Sequence, residues 1–558
     1  MIKVLLQGHN YSYEIAEFLK FFSSEFSFLD GSEVFTVNQD MQDSEVLVNK
    51  LEIIRKRDRV DIFTNTKVFL DGTELYNREI KESIDIETLD KSFVDIDKNS
   101  NDSENIKDNT EKYLVKKVIE TEHNKKIFAK TNKKLDNNIK TISKRIIQRS
   151  MYYYLLDRFD ANVPWGILTG IRPVSIVNAL FDMDMTEDDI RENMKREYLI
   201  KEEKLDLIIE IAKRERKYIY PLSEDKISLY VSIPFCPTRC LYCSFPSHPL
   251  AKFGSLRHKY VETLLKEAKG VAELIKMQSK EIETLYIGGG TPTALEADDL
   301  DYLITGLFNI FDLSKIKEFT VEAGRPDTIT EEKLRTLKKH NVSRISINPQ
   351  TMNQETLETV GRNHSVEDIK DCFYMARKLD FDNINMDIIL GLPGETPDMV
   401  DSTMKEIIAL DPESVTVHTL ALKRASDLNI NMDSYKDALV SYQKMIEMIA
   451  ISRKHMKDNN YNPYYMYRQK HMLGNLENIG YSKEGYESLY NMQIMEDRQS
   501  NYAIGAGAVS KFVYLDETRI ERVDDVKNLE IYLERVDDMI DKKYREVEKN
   551  ANKSSKRD

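Results

Sequence analysis

The stretch YVSIPFCPTRCLYCSF, residues 230–245, sets the reading of the whole chain. It opens as an apolar, β-prone run and then places three of the chain's four cysteines, Cys236, Cys240 and Cys243, at C-x3-C-x2-C spacing. Four cysteines in 558 residues do not make a disulfide scaffold. Thiols crowded into one loop read as ligands or catalysts instead. Thiolate is the usual ligand of structural zinc and of iron–sulfur clusters. Structural zinc wants a fourth protein ligand, and His248 is the nearby candidate, so a Cys3His zinc site is one open reading. The remaining thiol, Cys372, falls far along the chain on a helical pattern and reads as a buried core residue. The other reading is a 4Fe–4S cluster held by three thiolates, with one iron left open, and an open metal position is where a small molecule binds.

Outward from this loop, the bulk numbers narrow the class. Hydrophobic residues make up 41%, enough for a sizeable core, and the formal net charge is -14. A surface for nucleic acid is therefore not expected without a local basic patch. The first residues, MIKVLLQGHNYSYE, lack the apolar length of a signal peptide. No apolar run approaches the ~20 residues that span a bilayer. These features lead to the expectation of a soluble, cytoplasmic protein without a membrane span.

From about residue 225 six apolar, β-prone runs recur: ISLYVSIPF, IETLYIGG, IKEFTVEAG, VSRISINPQ, INMDIILGLPGE and ESVTVHTLAL. Between them lie segments of helical period such as HKYVETLLKEAKGVAELIKMQ and VEDIKDCFYMARKL. This alternation predicts parallel strands joined by crossover helices. Six units predict an incomplete barrel, open on one side, with its chemistry at the C-terminal strand ends. The expected fold is α/β, with a partial (β/α)6 barrel over 223–430. A small α/β domain (1–95) comes first, where Ile15, Phe18, Leu19 and Phe22 share one side of a helix. A polar linker (96–112) and a mainly helical region (113–222) follow. A mainly helical C-terminal domain (431–558), ending in a charged tail, is expected to cover the substrate. Within 113–222 the island VPWGILTGIRPVSIV holds the only Trp, and Gly166 and Gly170 offer tight turns. Arg172 there either packs in a loop, the preferred reading, or reaches an anion.

An open iron can chelate the amino and carboxylate groups of S-adenosylmethionine (SAM), and a reduced cluster can then cleave its sulfonium to a 5′-deoxyadenosyl radical. At this point CPTRCLYC (236–243) resembles the signature of the radical SAM superfamily, whose cysteine loop follows the first strand of a partial barrel. YIGGGTPT follows the second run; its glycines let backbone approach a ligand and leave amides free to bind it. TVEAGRPD, SINPQ, VGRNH and MDIILGLPGET continue the resemblance at successive strand ends. LYVSIPFC, GGGTPT, GRNH and DIILGLPGET together are similar to the oxygen-independent coproporphyrinogen III oxidase branch, and the C-terminal stretch from NPYYMYRQ to GAGAVSKF is similar to its HemZ-type members.

The resemblance implies a role for each matching residue. Cys236, Cys240 and Cys243 ligate a 4Fe–4S cluster. Tyr230 contacts SAM near the cluster, and Tyr242 lies against its adenine. Gly289, Gly290 and Thr291 bind its amino-acid end. Glu322, Gln350, Arg362 and Asp387 match further cofactor-contacting positions, and Ala421 lines the cavity. One or two SAM molecules and a ferredoxin- or flavodoxin-type electron donor are implied. The implied reaction, that of an oxygen-independent coproporphyrinogen III oxidase (dehydrogenase) in heme biosynthesis, turns two propionates of coproporphyrinogen III into vinyls, giving protoporphyrinogen IX.

A tetracarboxylate substrate needs local cations in so acidic a chain. Lys423 and Arg424 follow the sixth run, and Arg468 and Lys470 lie among Tyr464, Tyr465 and Tyr467. Lys423, Arg424, Arg468, Tyr464 and Tyr465 are the substrate-binding candidates. Ordinary core packing with surface charge is the equal alternative. Ser244-Phe245 departs from the oxidases, which carry another cysteine two positions after Cys243, and matches the C-x-F form of heme-chaperone relatives. A heme-binding carrier is therefore a rival, although YNPYYMYRQKHM lacks the chaperones' HNxxYW-like motif. A radical enzyme acting on RNA is a further rival that the composition does not favour.

Overall fold

The computed structural model describes residues 2–23, 25–29, 45–56, 58–86, 122–168, 172–423, 425–435, 438–468, 476–515 and 519–554. The linker expected over 96–112 lies outside them. The chain divides into two compact units, Met1–Thr169 with Thr186–Leu205, and Gly170–Met185 with Asp206–Asp558. No helix among the described residues is long and apolar enough to cross a membrane.

In the first unit β1 (Ile2–Gln7) pairs in parallel with β2 (Phe26–Phe28) and β3 (Glu45–Arg55). β3, β4 (Arg59–Leu70) and β5 (Thr73–Asp85) then run antiparallel. Asp71 and Gly72 both adopt positive φ in the two-residue turn between β4 and β5, which matches the right-handed twist of the flanking strands. Helix Ser12–Leu19 buries Ile15, Phe18 and Leu19, as its spacing predicts. Helix Glu122–Phe159 lays Ile139, Ile146, Ile147, Met151 and Leu155 on the same core. Gly166 has φ +54, and a Cβ there would meet the Tyr198 carbonyl oxygen at 2.2 Å, so only glycine lets the Trp165 turn close. Gly170 lies outside the described residues.

In the second unit the six expected strands are β6 (Lys226–Ile233), β9 (Glu281–Gly289), β10 (Glu318–Gly324), β11 (Arg344–Ile347), β12 (Ile384–Leu390) and β13 (Ser414–Thr419), all parallel. The short β7 (Phe235–Cys236) and β8 (His248–Pro249) pair within the loop after β6. Several crossover helices start on side-chain caps, Thr330, Ser365 and Thr396 among them. Ser365 and Asp368 form a capping box for helix Val366–Lys378, which buries Ile369, Cys372, Phe373 and Ala376. Arg172 packs as preferred above, ion-paired to Asp497.

Helices hold more of 431–558 than strands do among the described residues, in keeping with the expected helical character. Five strands are nonetheless present that the sequence pattern does not announce: β14 (Asn462–Arg468), β15 (Glu477–Ser482), β16 (Ser500–Ile504), β17 (Val509–Tyr514) and β18 (Arg519–Asp524). They extend the barrel sheet at both edges, in the order β14-β15-β13-β12-β11-β10-β9-β6-β16-β17-β18. A partial barrel leaves two edges with unpaired backbone groups, and β15 and β16 supply the partners.

The strand starts are closed by residues from the same C-terminal part. Helix Leu489–Glu496 stacks Tyr490 on Tyr286 (centroids 4.4 Å apart) and Tyr230 (6.3 Å). Gln493 and Gln499 both donate to Glu283, at 2.5 and 3.0 Å, and Ser228 donates to the Gln499 amide oxygen at 2.8 Å. Ser488 and the Leu489 amide donate to Glu318. Helix Val536–Ser554 is held by Lys543, wholly buried, which donates to Glu267 at 2.6 Å and Asp525 at 2.7 Å.

Candidate functional site

The strand tips surround a cavity of about 530 Å³. Its position follows from the loop after β6. The β7–β8 pair and the bond from the His248 amide to the Pro234 carbonyl (2.8 Å) tie the loop back on itself. The Leu241 amide donates to the Val360 carbonyl at 3.1 Å, and Leu428 donates to the Leu241 carbonyl at 2.8 Å. The loop thereby turns Cys236, Cys240 and Cys243 into the cavity.

The glycine triplet has a packing role beside the one its sequence suggests. The Gly290 amide is not free; it donates to the Ile233 carbonyl at 2.8 Å. A Cβ on Gly290 would lie 2.7 Å from the Phe235 carbonyl oxygen and 2.9 Å from the Cys236 sulfur. The residue is glycine because the end of β9 presses against the thiol loop. Gly289, at φ +116, makes the turn that brings it there.

Tyr230, Tyr242, Gly289, Gly290, Thr291, Glu322, Gln350, Arg362, Asp387 and Ala421, separated by as much as 191 positions in sequence, all line this one cavity. Tyr286 donates to Glu322 at 2.6 Å. Burial nevertheless pushes the Glu322 carboxyl up to about 7, with Asp387 adding to the rise. Burial acts on Asp387 in the same sense, but hydrogen bonding and charge from His418, with a bond from Asn385 (2.7 Å), hold its carboxyl below the ordinary range. Gln350 sits in the left-handed region at φ +69, where its amide and carbonyl bridge to β12, and its side-chain oxygen is buried without a partner. Strained backbone held in place by its neighbours clusters at functional sites. Arg362 donates from Nη1 to the Asn348 and Pro349 carbonyls, while its Nε is buried and unpartnered.

The donor set fits a cluster better than zinc. Burial pushes the Cys236 thiol up and the Cys243 thiol up to about 11; coordination to metal is what deprotonates such thiols. Two buried guanidiniums, Arg325 and Arg362, lie beside Cys240. Among the described residues no His, Cys, Asp or Glu group is gathered tightly enough for a single metal ion. A multi-iron cluster instead takes one thiolate at each of several irons. The Cys3His reading lacks its fourth ligand because His248 does not line the cavity that the three thiols face. The orphaned Gln350 oxygen and Arg362 Nε are polar groups placed for a ligand.

The substrate candidates divide. Lys423 lines the cavity, partly buried, and burial lowers its ammonium. Arg424 lies outside the described residues, as does Lys470. Tyr464, Tyr465 and Arg468 do not line the cavity. Tyr464 and Tyr465 pack with Ile219 and Met492, and Tyr465 lies on Gly480. Arg468 is buried opposite Glu477 in the β14–β15 pair, and burial pushes its guanidinium down to about 10. Alternation turns Tyr464 to the other face, and Tyr467, two residues nearer the strand tip than Tyr465 on the same face, is the β14 tyrosine that enters the cavity, with its hydroxyl 3.3 Å from His418 Nδ1. The sequence reading also missed Arg325, Asn348, His418 and Asn478, all in the lining. His418 was within reach of it, as a polar residue near the tip of the sixth strand.

A family model described as the radical SAM superfamily matches residues 230–407. The chain is 40% identical over 417 residues to the oxygen-independent coproporphyrinogen-III oxidase-like protein HemZ of Bacillus subtilis (strain 168), covering 74% of this chain and 83% of that one. It is 33% identical over 287 residues to the heme chaperone HemW of Lactococcus lactis subsp. lactis (strain IL1403), covering 50% and 68%. Among solved structures, coproporphyrinogen III oxidase (HemN) from Escherichia coli aligns with a TM-score of 0.47 and 22% identity, over 59% of this chain and 73% of that one.

Proposed function

The chain belongs to the radical SAM superfamily, in the branch of oxygen-independent coproporphyrinogen III oxidase-like proteins, and from that premise we propose that it decarboxylates propionate side chains of coproporphyrinogen III to vinyls without oxygen. Membership implies a 4Fe–4S cluster and SAM. When bound, the reduced cluster supplies the electron that cleaves SAM and so provides a carbon radical able to take a hydrogen atom.

The chain's own residues do the rest. Cys236, Cys240 and Cys243 would hold the cluster, and the glycine turn with Thr291 would receive the amino-acid end of SAM. Glu322, in its ionised form, would accept from ribose hydroxyls, Tyr242 would flank the adenine, and Gln350, Arg362 and Asp387 would complete the cofactor shell. Ala421 would border the space left for the substrate. Lys423, which has no ionic partner among the described residues, would anchor a propionate at the cavity edge. Each vinyl then arises as the propionate β-carbon gives up a hydrogen atom to the carbon radical and the side chain loses carbon dioxide, its remaining electron passing to a separate one-electron acceptor. Of residues 431–558, Tyr467 and Asn478 would border the substrate, and a ferredoxin- or flavodoxin-type protein would supply the electron.

The observation that supports this reading most is the convergence of three thiols and ten further matched residues on one cavity. A second reading, a heme carrier on the same scaffold, is favoured by Phe245. This residue lines the cavity and is 67% exposed, a flat apolar surface suited to a macrocycle, and it belongs to the C-x-F form. The test is anaerobic turnover with reductant, SAM and coproporphyrinogen III. The oxidase reading expects 5′-deoxyadenosine together with decarboxylated porphyrinogen. SAM cleavage with unchanged porphyrinogen would overturn it, and tight heme binding beside that result would support the carrier.

A further inference from the structure

Arg325 follows β10 in the segment AGRPD, and the functions assigned above leave it without a task. Its residue exposure is 3%. One edge of the guanidinium is clamped: Nε donates to Asp327 Oδ1 at 3.0 Å and Nη2 to Oδ2 at 2.7 Å. Nη1 points into the thiol loop, donating to the Thr238 carbonyl at 3.1 Å, to the Thr238 hydroxyl at 3.0 Å and to the Cys240 sulfur at 3.6 Å. A bidentate carboxylate fixes the plane of the guanidinium, so the donor meets the sulfur in one geometry. Arg362 also lies near Cys240, but its Nη1 is occupied by the carbonyls of Asn348 and Pro349. Burying a cation is costly unless it is paired, and Asp327 does the pairing. What remains is a charged donor held against one cluster-ligating sulfur.

We propose that Arg325 is a positioning residue that sets the reduction potential of the cluster bound by Cys240. The proposal rests on the assignment of the three thiols to a 4Fe–4S cluster. Reduction adds one electron and neither forms nor breaks a bond, so the change is an increase of negative charge on the irons and their thiolates. Hydrogen bonds to ligating sulfurs and net charge are among the factors that set such potentials. A buried positive donor stabilises the reduced form more than the oxidised form and so raises the potential.

The test is an anaerobic redox titration of the reconstituted cluster, followed by electron paramagnetic resonance, with iron per chain measured on each sample. Arg325→Met is expected to make the cluster about tenfold harder to reduce, a shift of about 59 mV to more negative potential for one electron. Arg325→Gln, neutral and closer in length, is expected to fall similarly and carries the test should Arg325→Met fail to hold iron. Arg325→Lys keeps the charge and is expected to recover most of the shift. The proposal is overturned if the neutral variants, with iron at the wild-type level, titrate at the wild-type potential. It is also overturned if Arg325→Lys falls as far as Arg325→Met. Wild-type protein that takes up no iron would overturn the cluster assignment instead, and the proposal with it.

Discussion

The starts and the tips of the barrel strands both bury polar side chains, and they differ in where those side chains find partners. At the starts, Glu283 is met by Gln493 and Gln499, Ser228 by Gln499, and Glu318 by Ser488 and the Leu489 amide. At the tips, the Gln350 oxygen and the Arg362 Nε are buried without partners, three thiols face a cavity of about 530 Å³, and Gln350 holds a left-handed backbone. Buried polar groups in native proteins are almost always satisfied. The starts also keep unpaired atoms, Arg344 Nε and Asn383 Oδ1 among them. The unpaired atoms of Gln350 and Arg362 differ in belonging to residues that line a cavity three thiols also face, an arrangement built around something else.

That contrast can be broken in four places. The largest effect is expected from Cys240→Ala, which should abolish cluster uptake and SAM cleavage while leaving the urea midpoint near wild type. Iron per chain, 5′-deoxyadenosine yield and a denaturation curve measure all three, and a midpoint collapse would mean that the tips are structural after all. Gly290→Ala comes next. Its Cβ has no room against the Phe235 carbonyl and the Cys236 sulfur, so cluster uptake should fall sharply although no ligand is removed. Reconstitution at the wild-type level would show that the thiol loop is looser than described.

At the other end, Gln493→Leu should do the reverse. It leaves Glu283 short of a donor, at a cost of about 1–3 kcal/mol in unfolding free energy, with SAM affinity unchanged. A loss of affinity without loss of stability would erase the distinction between the two ends. The smallest effect concerns pH. Burial pushes the Glu322 carboxyl up to about 7 from an ordinary 4.5, so between those values the folded protein binds more protons than the unfolded one. The stability linked to this group is present below pH 4.5 and is lost as pH rises through about 7. Wild-type protein without cofactor should therefore lose more of its urea midpoint between pH 5 and pH 8 than Glu322→Gln does. Equal losses in the two proteins would contradict the shift.

The tips were more legible in the sequence than the starts. Six apolar runs alternating with helical segments announce the barrel; Cys236 follows the first run, and Gly289, Glu322, Gln350 and Asp387 lie in the next four in order. The floor was not legible because Tyr490, Gln493 and Gln499 arrive from more than two hundred residues after β6, and no local pattern marks them. β15 and β16 read ENIGYS and SNYAI, short and glycine- or asparagine-bearing, and they are strands because the edges of β13 and β6 pair with them. Tyr464 and Tyr465 were expected in the cavity with Arg468, but pleating turns Tyr464 and Arg468 to the other face, and Tyr465 stops short of the tip that Tyr467, two residues on, reaches. Arg325 reads as a turn residue in AGRPD, and its meaning depends on Cys240, 85 positions earlier.

The central claim is that three protein sulfurs hold a cluster and leave one iron to a small molecule. Mössbauer spectra of protein reconstituted with iron-57, recorded with and without SAM, test it most directly. The account predicts that one iron site of the cluster changes its parameters when SAM is added while the others stay as they were. Spectra that do not respond to SAM, or a thiol loop found to hold zinc in place of iron, would contradict it.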